Sequence, residues 1–304
     1  MVDILLATYN GEKYLSEQIM SLINQTYKDI RIIIRDDGST DDTIAIIEKL
    51  QQKYSDKIIL IHDEIKCGSA KSNFMNLLKY ASAEYVMFCD QDDYWFPEKV
   101  QATLECMKEN EQKKQCPLVI YSDYIPADSE LNPIDFKKKS NQVYNEKLDL
   151  NHLLVQNYIN GCAMMINKEL YQEVLIYQEE MLMHDWWLAI YGAAFGKIVH
   201  LKKELMYYRQ HGKNCVGAVN IKSFSYIKSK ILDKETKNAN VQYVRQARAF
   251  YELYGKKMSA EKRKVFETFL NIPNQAEIQR IFTILKGRYL KNTFVRILGQ
   301  LWYS

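Results

Sequence analysis

Two carboxylates in the run Asp90-Gln91-Asp92-Asp93 stand two residues apart, directly after the apolar stretch Tyr85 to Cys89. In extended backbone, residues i and i+2 point the same way, so Asp90 and Asp92 can offer their oxygens to one point in space. Adjacent anions repel each other. A hard divalent cation, Mg²⁺ or Mn²⁺, relieves that repulsion while binding a ligand's phosphate oxygens. Asp185 lies in His184-Asp185-Trp186-Trp187. Desolvation by such neighbours raises a carboxyl pKa and makes the group a better proton acceptor near neutral pH. His211, in Tyr208-Arg209-Gln210-His211, can supply a nitrogen ligand or donate to a diphosphate. Two further polar segments are Thr8-Tyr9-Asn10-Gly11 and the acidic run from Asp36 to Asp42. A carboxylate there can accept the ring N–H of a uracil or thymine, and Tyr9 can stack on that base. Taken singly, each segment has a plainer explanation: acidic clusters before helices cap them and offset their dipoles, and a lone histidine is more often structural.

These residues need a frame, and the first 125 residues supply an alternating one. Ile4 to Ala7, Ile30 to Ile34, Ile58 to Ile61, Tyr85 to Cys89 and Leu118 to Tyr121 read as short buried strands bounded by polar turns. Between them, Leu15, Ile19, Leu22 and Ile23 share one helical face, and so do Ile44, Ile47 and Leu50. Pro97 is expected to open a helix running to about Asn110. Strand–helix alternation predicts an α/β fold, a mainly parallel sheet flanked by helices, whose ligands bind beyond the carboxyl ends of the strands. The polar segments of the first strands and Asp90 to Asp93 all come directly after strands in this scheme. From Pro126 to Asn145 the periodicity fades, a second patterned block spans about Leu148 to Arg209, and after Gly217 the chain turns basic and helical.

The 304 residues suffice for one large domain with an appendage. A net charge of +3 hides an asymmetry: residues 1–219 hold 24 basic and 32 acidic side chains, residues 220–304 hold 17 and 6. A basic tail on an acidic body points to an anionic surface as the tail's partner. The six cysteines form no C-x-x-C pair, which predicts reduced thiols. No basic leader precedes Met1-Val2-Asp3, and the longest uncharged apolar stretch, Trp186 to Gly196, falls short of the roughly 20 residues of a membrane span. A cytoplasmic protein is expected.

The phrases ATYNGEKYL, RDDGSTDDT, DQDDYWFPEK, MHDWWLA and YRQHGKN, in this order and spacing, resemble the family 2 glycosyltransferases of GT-A fold. The similarity is closest to bacterial rhamnosyltransferases that build cell-wall polysaccharides. It covers residues 2–217 and implies a GT-A domain over 1–217, with a nucleotide-binding half (1–125) and an acceptor-binding half (126–217), followed by a helical basic region (218–304). It implies that Thr8, Tyr9, Asp37, Lys71, Asp90 and Gln91 contact the nucleotide, with Asn73 an alternative to Lys71 as the basic or amide contact, although the spacing around Gly68 is compressed relative to the family's pattern. Asp90, Asp92 and His211 would hold the divalent cation, Asp92 most directly. Asn160, Gly161, His184 and Trp186 would border the acceptor. Asp185 falls at the catalytic base, although the family's usual Glu-Asp pair is here His184-Asp185.

The activity so implied is inverting transfer of a sugar, L-rhamnose from dTDP-L-rhamnose, onto a saccharide or lipid-linked saccharide; a UDP-sugar donor is the alternative. A nucleotidyltransferase lacks support because no glycine-rich basic loop comes after the first strand, and neither a Walker A nor a G-x-G-x-x-G element occurs. A non-catalytic membrane scaffold is the alternative outside enzymes. In the tail, Ile278, Ile281, Phe282, Leu285 and Tyr289 recur at helical spacing among Arg280, Lys286, Arg288, Lys291 and Arg296. That pattern fits a helix lying on the anionic inner face of the plasma membrane; packing against the core explains the same periodicity. Nucleic acid is not an expected partner, since the acidic body opposes it and no recognition module occurs.

Overall fold

The computed structural model describes residues 1–113, 115–134, 148–211, 234–292 and 294–302. Strand β1 (Val2–Thr8) lies within an eight-stranded sheet, pairing in parallel with β2 (Ile30–Asp36) on one side and β4 (Tyr85–Cys89) on the other. β3 (Ile58–Ile61) continues the parallel half beyond β2. The sheet order is β3-β2-β1-β4-β7-β6-β8-β5, with β5 at Tyr94–Trp95, β6 at Leu118–Ala127, β7 at Met164–Asn167 and β8 at Lys197–Arg209. β7 runs antiparallel between β4 and β6, and β5 runs antiparallel to β8. This is the mainly parallel α/β sheet expected, with an inserted antiparallel strand.

The central strands read as unbroken Val/Ile/Leu runs because both of their faces are covered. Alternation along them divides the core. Ile4, Leu6, Ile32 and Ile34 pack with Leu15, Ile19 and Leu22 of helix α1 (Leu15–Ile23). Leu5, Ile33, Val86 and Phe88 face the opposite layer, built by α3 (Ala70–Leu78), α7 (His184–Phe195) and the C-terminal helices. The remaining helices of the body are α2 (Thr43–Lys53), α4 (Lys99–Glu111), α5 (Leu150–Leu153) and α6 (Lys168–Tyr171). α4 begins two residues after Pro97, whose carbonyl instead accepts the Thr26 amide at 2.8 Å. Between α7 and β8, a Cβ on Gly196 would stand 1.7 Å from the Pro117 carbonyl oxygen, so the chain turns there only because that position carries no side chain.

Register carries the edge of the sheet. Thr8 pairs with Asp36 and Leu6 with Cys89, so β1, β2 and β4 end together and release Tyr9, Asp37 and Asp90 on one side of the molecule.

The boundary expected at residue 217 lies outside the described residues, but the helices beyond it pack on the body. α8 (Lys234–Tyr254) sets Phe250 against Trp187, ring centroids 4.9 Å apart, and Tyr254 against Tyr191 at 5.2 Å. α9 (Ala260–Asn271) stacks Phe266 on Phe250 at 5.5 Å. Burying each such ring is worth about 1.5–3 kcal/mol. α10 (Glu277–Gly287) buries Ile284 on this layer while Ile278 is 85% and Phe282 62% exposed; α11 (Phe294–Trp302) comes next. The tail thus packs, as one of its two readings requires, and also keeps an apolar stripe outside. Among the described residues no helix is long and apolar enough to cross a membrane, and Cys67, Cys89, Cys106, Cys116 and Cys162 are free thiols.

Candidate active site

At the β1–β2 end, the Thr8 hydroxyl donates to Asp36 Oδ2 at 2.8 Å. Asp36 Oδ1 accepts the amides of Gly38 (3.0 Å) and Ser39 (2.7 Å), a tight turn that Gly38 enters at φ +88°. Asp37 is buried and accepts three N–H groups: Cys67 at 2.6 Å, Gly68 at 2.8 Å and Arg35 Nη1 at 3.3 Å. Arg35 is itself fully buried, forked onto both oxygens of Asp63 at 2.9 and 2.7 Å and bonded to Asn73 Oδ1 at 2.9 Å. A charged side chain inside an apolar strand is tolerated when its donors are used this way. The Tyr9 side chain is 57% exposed at the same edge of the sheet.

The β4 end carries the acidic loop. Burial pushes the Asp90 carboxyl up to about 7, and the nearby Asp92 and Asp185 charges add to the rise. Asp93 is fully buried and shifted in the same direction by burial first, then by Asp90 and Asp92. Its Oδ1 accepts the Arg209 amide at 3.1 Å, and its Oδ2 has no hydrogen-bond partner among the described residues. Ligand atoms of Asp90, Asp93 and Cys162 all lie within 4.8 Å of one another. Burial and the two carboxylates keep the Cys162 thiol protonated, so the donors here are carboxylate oxygens. Asp92 Oδ2 lies 2.7 Å from His211 Nε2. An oxygen-rich set with one orphaned oxygen and one imidazole fits a hard divalent cation.

Three basic groups brace this loop. Arg209, at the end of β8, donates from Nε to the Asp92 carbonyl at 2.7 Å, pairs with Glu17, bonds the Ser129 carbonyl and stacks its guanidinium 4.3 Å from the Tyr14 ring centre. His211 lies 5.2 Å from the same tyrosine ring. Lys99 is fully buried under the loop, with Nζ donating to the Cys162 carbonyl at 2.5 Å and lying 4.0 Å from the Trp95 ring. Burial lowers its pKa to about 8, against the opposing pull of the neighbouring anions.

Asp185 stands in the first turn of α7. Its Oδ2 accepts the Gly161 amide at 3.0 Å and its Oδ1 the Trp186 amide at 2.6 Å. Burial raises its pKa to about 6, even though these bonds and one from Asn157 favour the anion. Because its charge is felt at Asp90, the base candidate and the acidic loop share one site.

Of the other expected site residues, several have their polar groups engaged or enclosed within the protein. His184 is buried, its ring centre 4.2 Å from that of Phe74 and 5.0 Å from that of Phe88, with neither nitrogen hydrogen-bonded among the described residues. Burial drives its pKa to about 3, so it is neutral and packs close against Gly161. Trp186 is also buried, its indole N–H given to the Leu153 carbonyl at 2.6 Å. Lys71 gives its ammonium to the carbonyls of Glu179 (2.9 Å) and Met181 (2.6 Å), which ties α3 to the segment before α7. Gln91 clasps the Tyr9 backbone, accepting its amide at 2.8 Å and donating to its carbonyl at 2.9 Å, and so fixes the chain just beyond β1. Gly161 gives its amide to Asp185, and Asn160 precedes it at the start of the same short turn. Sequence reasoning does not reach Arg35, Asp63, Asp93, Lys99 or Arg209. The visible signal for Arg35 is a charge at the end of the apolar run Ile30 to Ile34.

The family model for glycosyl transferase family 2 matches residues 3–175. The chain is 31% identical over 252 residues to the dTDP-rhamnosyl transferase RfbG of Shigella flexneri, covering 77% of this chain and 83% of that one. It is 30% identical over 189 residues to an uncharacterised glycosyltransferase of Rickettsia typhi, where it spans 56% of the relative's length. Among solved structures, S. aureus TarS residues 1–349 superposes with a TM-score of 0.58 at 18% identity, covering 88% of this chain and 90% of that one. The mannosyltransferase PcManGT from Pyrobaculum calidifontis, in complex with GDP-Man and Mn²⁺, gives 0.56 at 12% identity, with 94% and 72% covered. These structural likenesses concern the GT-A fold alone. With its family match, its relatives and its strand-end carboxylates taken together, the chain belongs to glycosyl transferase family 2 and is a glycosyltransferase.

Proposed function

We propose that the protein transfers a sugar, L-rhamnose from dTDP-L-rhamnose, onto a saccharide acceptor with inversion at the anomeric carbon. The observation that carries this reading is Asp185: a carboxyl with a pKa near 6, oriented by two backbone amides, within electrostatic reach of Asp90. A base with that pKa is ionised at neutral pH yet still accepts a proton readily. Asp185 takes the proton of the acceptor hydroxyl as its oxygen attacks the face opposite the leaving diphosphate. No carboxylate nucleophile is needed, because one displacement inverts the centre.

The base of the nucleotide is read at Asp37. A carboxylate offers about four acceptor positions, and three are filled by Cys67, Gly68 and Arg35, which leaves one for the N–H of a pyrimidine ring, with Tyr9 exposed to cover the ring face. Support for the donor sugar comes from the Shigella relative, whose name specifies a dTDP-rhamnosyl transferase. Asp90, Asp92 and His211, with Asp93 behind them, would hold Mg²⁺ or Mn²⁺. When bound, the ion supplies positive charge for the departing diphosphate. Arg209 fixes the Asp92 carbonyl and so sets the loop's position; Lys99 offsets part of its negative charge from beneath. Asn160 and Gly161 border the acceptor side.

The exposed stripe on α10, with basic residues around it, supports docking on an anionic membrane from the cytoplasmic side, where a lipid-linked acceptor would be presented. Turnover of a panel of nucleotide sugars with a saccharide acceptor tests the function. Rhamnose transfer from dTDP-L-rhamnose with inverted configuration is expected; transfer from UDP-sugars alone overturns the donor assignment.

A further inference from the structure

A cavity of about 400 Å³ lies among the C-terminal helices, on the far side of an aromatic pair from Asp185. Its wall on α8 is one helical face, Val241, Val244, Arg245 and Arg248, at i, i+3, i+4 and i+7. Opposite, α10 contributes Arg280 and Ile284, one turn apart. The lining is mainly apolar, with the guanidiniums of Arg245, Arg248 and Arg280 as its charged groups. None of the three has a salt bridge or side-chain hydrogen bond among the described residues, and the Arg280 Nε is buried without a partner. Arg245 and Arg248 are exposed at the rim of this apolar space and Arg280 is partly buried beside it, so its mouth carries three cations with no carboxylate partner among the described residues.

We propose that this cavity binds a single-chain hydrocarbon bearing a terminal phosphate. The chain would lie on Val241, Val244 and Ile284, and the phosphate would take the guanidinium N–H groups. Phosphate suits the site better than carboxylate because it offers three acceptor oxygens and about −1.5 to −2 charge to three cations, in the forked geometry that arginine prefers. The volume sits in the range of small-molecule sites, about 300–1,000 Å³, which favours one chain over a two-chain phospholipid. An occupant would also be felt at the catalytic side. Tyr243 lines the cavity and packs on Trp186 at 5.3 Å, and the Trp186 amide is one of the two that orient Asp185.

The site is separate from the outer stripe of Ile278 and Phe282 and independent of the donor sugar. Isothermal titration of the full chain with dodecyl phosphate below its micellar concentration tests it, with dodecanol and inorganic phosphate as competitors. The expected result is saturable one-to-one binding with which neither competitor interferes at matched concentration. Arg245→Ala/Arg248→Ala, at exposed helix positions, should weaken it by about tenfold or more. Val244→Trp, which fills the space, should do the same, whereas Ile278→Ser/Phe282→Ser should leave it unchanged. The proposal fails if no saturable binding occurs, or if the arginine pair can be removed without effect. It fails equally if dodecanol or inorganic phosphate alone competes as well as the amphiphile, or if the outer-stripe variant abolishes binding.

Discussion

The Gly161 amide and the Asp185 carboxylate meet at 3.0 Å across 24 residues of chain, and the contact holds the base candidate against the Asn160–Gly161 turn. A Cβ on Gly161 would lie 2.6 Å from His184 Nε2 and 3.4 Å from the Asp185 Cβ. Gly161→Ala should therefore displace the loop or the base, lowering kcat while donor affinity, measured by titration with the nucleoside diphosphate, stays near wild type. An unchanged kcat would separate this loop from the chemistry.

Asp185→Asn removes the proton acceptor and keeps the side-chain shape. kcat should fall by about 10²-fold or more, with donor affinity little altered. Stability should respond in the opposite sense. The folded carboxyl binds its proton more tightly than an unfolded one, about 6 against 3.8, so the wild type loses stability as pH rises through that window. The wild-type Tm, referred to the Asp185→Asn profile, should therefore fall as pH rises from 3.8 to about 6; the absence of such a fall would mean that the anion is favoured in the fold.

The pH profile of kcat should show an acid limb near pH 6, where Asp185 becomes protonated. In the Asp185→Asn variant that limb should vanish from the residual rate. If it persists, another group titrates in it.

Asp92→Ala should abolish most turnover and weaken donor diphosphate binding, and exhaustive chelation of the wild type should do likewise, with Mg²⁺ or Mn²⁺ restoring the rate. Full activity in a thoroughly chelated enzyme would remove the cation from Asp90, Asp92 and His211.

Ile278→Ser/Phe282→Ser should release the protein from sedimenting vesicles that contain anionic lipid, and salt should weaken the wild-type binding, since each nearby Lys or Arg contributes about 1 kcal/mol. Equal sedimentation of variant and wild type would leave the stripe without a membrane role. Phe250→Ala, by contrast, should destabilise the whole molecule by about 3–5 kcal/mol, because Phe250 joins α8 to Trp187.

The parallel strands and the residues at their ends were legible because both signals are local. A run such as Ile4 to Ala7 announces a buried strand, and the residues just beyond its carboxyl end must lie at the ligand edge. Side-chain direction was less legible. His184 and Trp186 flank Asp185 in sequence, but on a helix neighbours diverge by about 100°, so one of three polar-capable groups reaches the site and the others enter the core. Lys71 and Gln91 stand close to the site along the chain, and their donors are claimed by backbone carbonyls that only the folded arrangement brings near. Nothing local in the sequence marks Asp93 and Lys99 as buried; their burial depends on β8, from far along the chain, meeting them through Arg209 and Met206. The antiparallel β7 was invisible for the same reason, since pairing partners are set by tertiary context.

Arg209 stands 192 residues from Glu17, and it also holds the Asp92 carbonyl and the Ser129 carbonyl. Contacts of such sequence separation form late, after the entropy of closing long loops has been overcome. During synthesis, β1, β2 and β4 can assemble while β8 is still to be made, leaving the acidic loop untied and its carboxylates unrestrained. Competence for catalysis should then be gained in one step, when β8 slides in beside β6, so that a partly made chain carries the nucleotide edge without a working site.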